Sequence, residues 1–196
     1  MKKDKMFLKG LRNLSGAKAE YMNDSAVFFV TWRDALEYCN WLSQKHGWVI
    51  SYGDQMTVSK QGFRLPTEYE WYYAATCGLG KKAQLPNKED VVYRDNRGKY
   101  KQTIQNKDLY ENDWGLAGML GNINEWTNSL SKRRVLKKFE RWKASNAKKE
   151  DRVVIVGGSF ASPWRLINYE YHTDVSLDNP HYIGIRVAID EVERFF

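Results

Sequence analysis

The stretch Gly62-Phe-Arg-Leu-Pro-Thr-Glu-Tyr-Glu-Trp71 contains the clearest local structure signal of the chain. Thr67 and Glu70 have the spacing of a capping box, in which each side chain accepts a hydrogen bond from the other residue's backbone N–H. The apolar face that follows consists of Trp71, Ala74 and Ala75. Gly78 can adopt the left-handed backbone conformation that ends a helix. The stretch therefore predicts a short helix that begins after Thr67.

A second helix is predicted upstream of this stretch. Thr31 is its N-cap, Asp34 gives a capping-box variant, and Gly47 ends it. Its apolar positions recur at spacings of three and four residues: Trp32, Ala35, Leu36, Cys39 and Leu42. Because Cys39 lies on this stripe, it is predicted to be a buried small apolar residue rather than a reactive thiol.

The remaining chain predicts short strands and long loops. Val27–Val30 is a short strand or an extended entry, and Trp48–Ile50 and Met56–Val58 form a hairpin before the helix that begins after Thr67. Residues 79–112 are loop with at most short strands. Buried strands are predicted at Val153–Val156 and Ile183–Ile189. Two helices in a loop-rich chain with strands near its end indicate an α+β fold.

Composition limits the class of protein. The 196 residues suit one domain, and 42% hydrophobic with 28% charged residues is globular composition. The mean hydropathy is -0.67, and no apolar run approaches the length of a membrane span. The N-terminus lacks the apolar region of a secretory signal. We expect a polar segment at 1–25, one domain at 26–190, a tail at 191–196, and a cytoplasmic or virion-associated location with no membrane contact.

Basic charge is concentrated in one segment. The net charge is +7, and residues 129–152 carry ten basic and three acidic residues, so the rest of the chain is neutral. Val135, Leu136, Phe139 and Trp142 have helical spacing there, which predicts a basic amphipathic insertion. It is either a docking site for nucleic acid or an acidic partner, or a solvated insertion packed on the domain.

Four sequence blocks occur in a specific order. They are Val30-Thr-Trp-Arg-Asp-Ala-Leu-Glu-Tyr-Cys-Asn-Trp-Leu42, the 62–71 stretch, Gly115-Leu-Ala-Gly-Met-Leu-Gly-Asn-Ile-Asn-Glu-Trp-Thr127, and Val156-Gly-Gly-Ser-Phe160 followed by Gly184-Ile-Arg-Val-Ala188. This set resembles the formylglycine-generating enzyme (sulfatase-modifying factor) family over about residues 26–189. The resemblance implies a C-type-lectin-like fold with two helices, a small twisted antiparallel sheet and much irregular loop.

The resemblance also implies which activity is missing. The family's oxidase uses cysteines between the Gly-Gly-Ser block and the terminal Gly-Phe-Arg block to bind copper and attack its substrate. Residues 160–183 fill that place here and contain no cysteine. Since a thiolate is the soft ligand that selects Cu(I), we expect no oxidase chemistry. Three histidines and no suitably spaced His or Cys pairs give no transition-metal site.

One calcium site is implied by the same family. Asn122 and Glu125 match residues that supply oxygen ligands to Ca²⁺ in the family, and such ligands suit that ion. In the alternative, both side chains only hydrogen-bond within their loop. Ligand binding itself would require no cofactor, and a Ca²⁺ ion would be structural.

The cysteine-free segment resembles a recognition surface. Its placement is similar to the variable region of diversity-generating retroelement variable proteins. It mixes large amphipathic rings with short polar side chains, as recognition surfaces do. The predicted ligand-binding residues are Trp164, Leu166, Asn168, Tyr169, Tyr171, His172, Asp174, Asp178 and Tyr182. In the alternative, rings such as Trp164 and Tyr171 pack in the core.

Three functions follow from these observations. We expect a non-catalytic protein that binds a protein or carbohydrate ligand through residues 160–183, and that is a variable protein of a viral or prokaryotic retroelement. The alternatives are a divergent metal-dependent oxidase that borrows ligands from another chain, and an adaptor that docks through its basic segment. Homo-oligomer formation is compatible with each.

Overall fold

A computed structural model describes residues 26–53, 62–96, 109–131, 152–179 and 181–189. The helices are α1 (Trp32–Lys45) and α2 (Glu68–Ala75). The strands are β1 (Asn124–Leu130), β2 (Arg152–Val156), β3 (His172–Ser176) and β4 (Ile183–Gly184). Short 3₁₀ turns lie at Gly80–Lys82, Lys88–Asp90 and Trp164–Leu166. The predicted α+β class with two helices is confirmed.

Both helices begin at the predicted capping boxes. The Thr31 backbone N–H donates to the Asp34 carboxylate at 2.8 Å, and the Asp34 N–H donates back to the Thr31 hydroxyl at 3.2 Å. Thr67 and Glu70 make the same reciprocal pair at the start of α2. Gly47, past the end of α1, has the predicted left-handed conformation (φ 71°). Local sequence therefore determines where these helices begin.

The sheet is mixed, which corrects the prediction of an antiparallel sheet. The strand order is β3-β2-β1-β4, in which β2 pairs antiparallel with both neighbours. β4, however, runs parallel to β1 through Asn124 and Glu125. The chain reaches β4 from β3 at the opposite edge of the sheet, so no hairpin fixes its direction.

The core lies on both faces of the sheet. Val153 and Ile155 of β2 belong to an apolar cluster that includes the buried face of α1, whereas Val154 and Val156 belong to one around Trp71 of α2. Successive strand side chains point to opposite faces, so one helix covers each face. This explains the uninterrupted apolar run in β2.

Three fully buried tryptophans connect these layers. The indole N–H groups of Trp32, Trp71 and Trp126 donate to the Thr127 carbonyl, the Glu125 carboxylate and the Val30 carbonyl, respectively. Each ring thus buries a large apolar area without leaving its donor unpaired. Cys39 is fully buried on α1 as predicted, and neither it nor Cys77 is in a disulfide.

Several predicted strands are shorter or absent. Val27–Val30 and Trp48–Ile50 form no strand, and Phe29 in the first run has a left-handed φ of 61°. The run Ile183–Ile189 contributes only the two residues of β4, followed by a single bridge between Ala188 and Arg64. Val187 and Ile189 are 36% and 39% exposed, so the run is not buried throughout. Apolar composition alone therefore overestimated this strand.

Other predictions fall outside the described residues. They concern the segment 1–25, the Met56–Val58 half of the hairpin, nearly all of the basic insertion, and the tail 191–196. The proposed domain limits stay a prediction. Over the ranges that the structure describes, no helix has the length and apolar character needed to cross a membrane.

Candidate ligand-binding surface

A buried ion pair fixes the scaffold behind the cysteine-free segment. Glu125 on β1 is 5% exposed, and its two oxygens accept hydrogen bonds of 2.8 to 3.1 Å from Nε and Nη2 of Arg186. The Trp71 indole donates to the same carboxylate at 2.7 Å. Arg186 Nη2 also donates to the Ala117 carbonyl at 2.8 Å. The attraction of Glu125 raises the pKa of Arg186 above its ordinary value, so the guanidinium group stays positively charged. β1, α2 and the chain after β4 are thereby held together.

This ion pair bears on the calcium prediction. Both Glu125 oxygens already face a guanidinium, so a Ca²⁺ ion at this carboxylate would have to displace or repel Arg186. The residues therefore do not fit a Ca²⁺ ion coordinated by Glu125 while Arg186 is in place. Asn122 is 2% exposed and lies in a tight loop. Calcium binding stays a prediction without geometric support, whereas hydrogen bonding of Glu125 within the fold is observed.

The loop before β1 positions the beginning of the segment. Gly121 has a φ of 72°, and an added Cβ would lie 2.3 Å from the Val92 carbonyl oxygen, so a side chain there is strongly disfavoured. Its N–H donates to the Gly157 carbonyl at 2.8 Å, and the Phe160 N–H donates to the Asn122 carbonyl at 3.0 Å. The Gly-Gly-Ser block is thus fastened to the loop that precedes β1.

The same loop positions the end of the segment. The Tyr182 carbonyl accepts hydrogen bonds from the backbone and the side chain of Asn124, at 3.1 and 3.3 Å. The Phe160 and Tyr182 rings meet edge-to-face with centroids 4.9 Å apart. Residues 160 to 182 therefore form a closed excursion whose two ends are anchored side by side next to the start of β1.

The predicted ligand-binding residues lie in three places rather than in one patch. Asp178 and Tyr182 are exposed, and the other seven are half-buried. His172 and Asp174 lie on β3 at one edge of the sheet, whereas Tyr182 precedes β4 at the other edge. Three strand spacings separate these edges, about 14 Å. Tyr169 lies apart from both, on a cleft beside α2.

The aromatic and apolar residues at the start of the excursion have structural contacts. Trp164 packs beside the apolar cluster around Trp71, with its ring centroid 5.1 Å from that of Tyr93 and under Lys88 Nζ at 5.4 Å. Leu166 ends a 3₁₀ turn, and its N–H donates to the Pro163 carbonyl. Asn168 accepts the Glu170 N–H at 3.0 Å and stabilises the next turn. Half-burial of Trp164 agrees with both interpretations that the sequence left open.

Polar side-chain contacts hold β3 in place. His172 Nδ1 lies 3.2 Å from Glu68 Oε1 on α2. Asp174 pairs with Arg152 across the β2–β3 ladder, and the hydrogen bond from Arg152 holds the pKa of Asp174 below its ordinary value. Tyr171, one residue before β3, is half-buried. The side chains of His172 and Asp174 are therefore engaged within the domain as well as accessible to solvent.

An aromatic cluster at the anchored ends was not predicted. It consists of Phe28, Phe29, Phe160, His181 and Tyr182, with centroid separations of 4.8 to 6.5 Å. Phe29 and Tyr182 both have left-handed backbones (φ 61° and 54°), which bulky residues rarely adopt. The adjacent phenylalanines were visible in the sequence, but only tertiary structure brings them to Tyr182.

The arrangement defines a class of protein. Two helices, a small curled mixed sheet and long anchored loops form a C-type-lectin-like scaffold. The profile of the sulfatase-modifying factor enzyme 1-like domain matches residues 8–191, so the chain belongs to this family.

The relatives include a protein named as inactive. The chain is 31% identical over 121 residues to the inactive C-alpha-formylglycine-generating enzyme 2 of Bos taurus. That match covers 53% of this chain and 32% of the relative, so it spans about a third of the relative's length.

Two solved structures share the fold. PvdO from Pseudomonas aeruginosa superposes with a TM-score of 0.68 at 18% identity, covering 92% of this chain and 74% of that one. Treponema denticola variable protein 1 superposes with a TM-score of 0.66 at 20% identity, covering 92% and 80%. At these identities the two likenesses show the shared fold. They do not identify a ligand.

Proposed function

We propose that this protein is a non-catalytic ligand-binding protein that displays residues 160–183 on a C-type-lectin-like scaffold, and that it is a variable protein of a diversity-generating retroelement. One observation carries the proposal: both ends of the segment are anchored to the loop and strand around Asn122 and Asn124, next to the buried Glu125–Arg186 pair. Side chains between these anchors can change while the anchors stay.

The division between scaffold and surface supports this proposal. Within the excursion Ile167 and Leu177 are each 1% exposed and pack in the two apolar clusters. The residues predicted to bind ligand all retain solvent exposure. Rings with polar ends provide contact area at little conformational cost. A ligand would therefore meet Asn168, Tyr171 and Asp178 without disturbing the buried Ile167 and Leu177.

A library experiment tests the display function. Asn168, Tyr171 and Asp178 are randomised together on phage and selected against hen lysozyme as an arbitrary target. A matched library randomises Arg33, Glu37 and Gln44, which are exposed on α1. We expect folded binders to be enriched from the first library and not from the second. Loss of folding throughout the first library, or equal enrichment from both, would oppose the proposal.

The oxidase alternative receives little support from the thiols. Cys39 is fully buried, and burial raises the pKa of its thiol to about 12. Cys77 follows the end of α2 and lines the cleft beside Tyr169, but it is outside residues 160–183, where the resemblance places the family's cysteines. Purified protein containing copper or iron in stoichiometric amount would favour this alternative over the display function.

The adaptor function rests on the basic charge of residues 129–152. Leu130 at the end of β1 pairs with Val153 of β2, so both ends of the insertion leave the same end of the sheet. Tyr182 is anchored at the other end of β1, beside Asn124. The insertion therefore leaves the sheet beside Asp174, which pairs with Arg152, and at the end of β1 opposite to Tyr182. Binding to duplex DNA that weakens steeply with salt and with Lys137→Glu and Lys138→Glu would support it.

A further inference from the structure

A cleft of about 530 Å³ lies between the end of α2, the turn at residues 79–87 and the loop at residues 110–113. Tyr169 is the one residue of the cysteine-free segment that lines it. This volume is within the range of sites that hold small organic ligands or single side chains of a partner. The cleft is on the α2 side of the sheet and away from the aromatic cluster at Tyr182.

Exposed apolar side chains surround this cleft. Leu79, Leu85 and Tyr110 line it and are 55%, 45% and 39% exposed. Beside it, Tyr73 and Trp114 are each 50% exposed and contact each other edge-to-face with centroids 5.4 Å apart. Five of the nine large apolar side chains that are exposed in the described residues thus gather here. Such a concentration marks an interaction site rather than ordinary surface.

The charge of the cleft differs from that of the whole protein. Among the described residues, Asp90 and Asp113 line it together with the single cation Lys82, so this part of the lining is net acidic in a chain of net charge +7. Among the described residues, no hydrogen bond or ion pair engages the exposed Asp113 carboxylate. Burial raises the pKa of Tyr169, and the neighbouring Tyr110, Cys77 and Asp113 raise it further, as expected where groups that can carry negative charge converge.

The oxygen of Tyr169 is oriented by the turn. Its hydroxyl donates to the Gln84 carbonyl at 3.3 Å, which leaves the oxygen lone pairs as acceptors. A tyrosine ring face attracts cations through its quadrupole, and a nearby carboxylate adds to this attraction. Tyr110 and Tyr169, with Asp113, therefore offer a cation two rings and a negative charge in one concave site.

We propose that this cleft binds an organic cation, an alkylammonium or guanidinium group, between Tyr110, Tyr169 and Asp113. The inference rests on the proposed function, because Tyr169 belongs to the display segment, and it names the chemistry of one part of that surface. The cation is supplied either by a free amine or by a basic side chain of a partner protein.

Titration followed by amide NMR tests the proposal. The probes are butylammonium, the peptide acetyl-Gly-Gly-Lys-Gly-Gly-amide, and butyrate as an anionic control of similar size. We expect both cations to shift the amide signals of Gln84, Tyr110, Asp113 and Tyr169, and salt to weaken the binding. Tighter binding of the peptide identifies a protein source, and equal or weaker binding of the peptide identifies a free amine. Butyrate binding as tight as butylammonium, or absence of shifts with both cations, would overturn the proposal.

Two variants locate the interaction. Asp113→Asn removes an exposed charge and is expected to weaken butylammonium binding on the order of threefold to fivefold. Glu37→Gln removes an exposed charge on α1, outside the cleft, and is expected to leave binding unchanged. Equal loss in both variants would mean attraction by net charge alone and would refute the site.

The result is separable from the test of the display function. The library experiment varies Asn168, Tyr171 and Asp178, none of which lines the cleft. If the cleft does not bind cations, the library can still yield binders. If the library yields no binders, the titration of the cleft is unaffected.

Discussion

Glu125 and Arg186 form a bidentate ion pair that joins β1 to the chain after β4, and the Trp71 indole donates to the same carboxylate. The pair is almost enclosed, with 6% of the Glu125 side chain and 26% of the Arg186 side chain exposed. It lies beneath the loop that anchors both ends of residues 160–183. The same carboxylate that the family resemblance assigned to Ca²⁺ is thus satisfied by the protein itself.

Removing one partner of this pair is expected to destabilise the fold. Arg186→Met leaves a buried carboxylate with only the Trp71 donor and should lower the free energy of unfolding by roughly 3 kcal/mol. Asp174→Asn, which breaks the exposed pair with Arg152, should cost less than about 1 kcal/mol. Urea unfolding measures both. Similar losses in the two variants would contradict the structural role of Glu125.

Calcium is expected to leave the protein's stability unchanged. Carboxylate oxygens are suitable Ca²⁺ ligands in general, but Arg186 already neutralises Glu125. Millimolar CaCl₂ should therefore not raise the Tm above the value measured in EGTA. Differential scanning calorimetry gives the comparison, with MgCl₂ as the control for ionic strength. A Tm that rises with CaCl₂ but not with MgCl₂ would restore the calcium prediction.

Glu70 is expected to make folding stability depend on acid pH. Burial by itself raises the pKa of Glu70, but hydrogen bonds from Arg64 and Thr67 outweigh it, so the pKa is lowered in the folded state. Its contribution is present above the unfolded pKa of about 4.3 and is lost as the pH falls through the lower folded pKa. The wild type should therefore lose stability more steeply in acid than Glu70→Gln. Glu37→Gln, on the exposed side of α1, should follow the wild type; parallel curves for all three proteins would refute this.

The two thiols should differ in reactivity. Burial raises the pKa of the Cys39 thiol to about 12, and its side chain is inaccessible, whereas Cys77 is half-buried and lines the cleft. Ellman's reagent at mildly alkaline pH should modify one thiol per native chain and two in guanidinium chloride. Cys77→Ser should abolish the native reaction. Rapid modification of both thiols in the native wild type would show that α1 does not seal Cys39.

Local features of the fold could be predicted from the sequence, and tertiary ones could not. Both capping boxes were predictable because they depend on residues three positions apart. The parallel pairing of β4 was not, since it depends on a crossover between opposite sheet edges. The Glu125–Arg186 pair was missed because nothing in the local pattern relates these distant residues.

The candidate surface was predictable in position but not in shape. The absence of cysteine from residues 160–183 was visible in the sequence, as was their mixture of rings and polar side chains. Alternation of buried and exposed residues could not be assigned because this segment is mostly irregular. Phe29 and Tyr182 have left-handed backbones, which bring their rings together. The sequence does not predict this conformation, because bulky aromatic residues rarely adopt it.

Sequencing the DNA that flanks the gene tests whether residues 160–183 are a diversified recognition surface on a fixed scaffold. We expect a reverse transcriptase gene and a near-copy of the codons for this segment that differs chiefly at adenines. The differences should fall in codons for accessible residues such as Asn168, Tyr171 and Asp178, and should spare those for the buried Ile167 and Leu177. Absence of the near-copy, or differences concentrated at Ile167 and Leu177, would contradict a diversified surface.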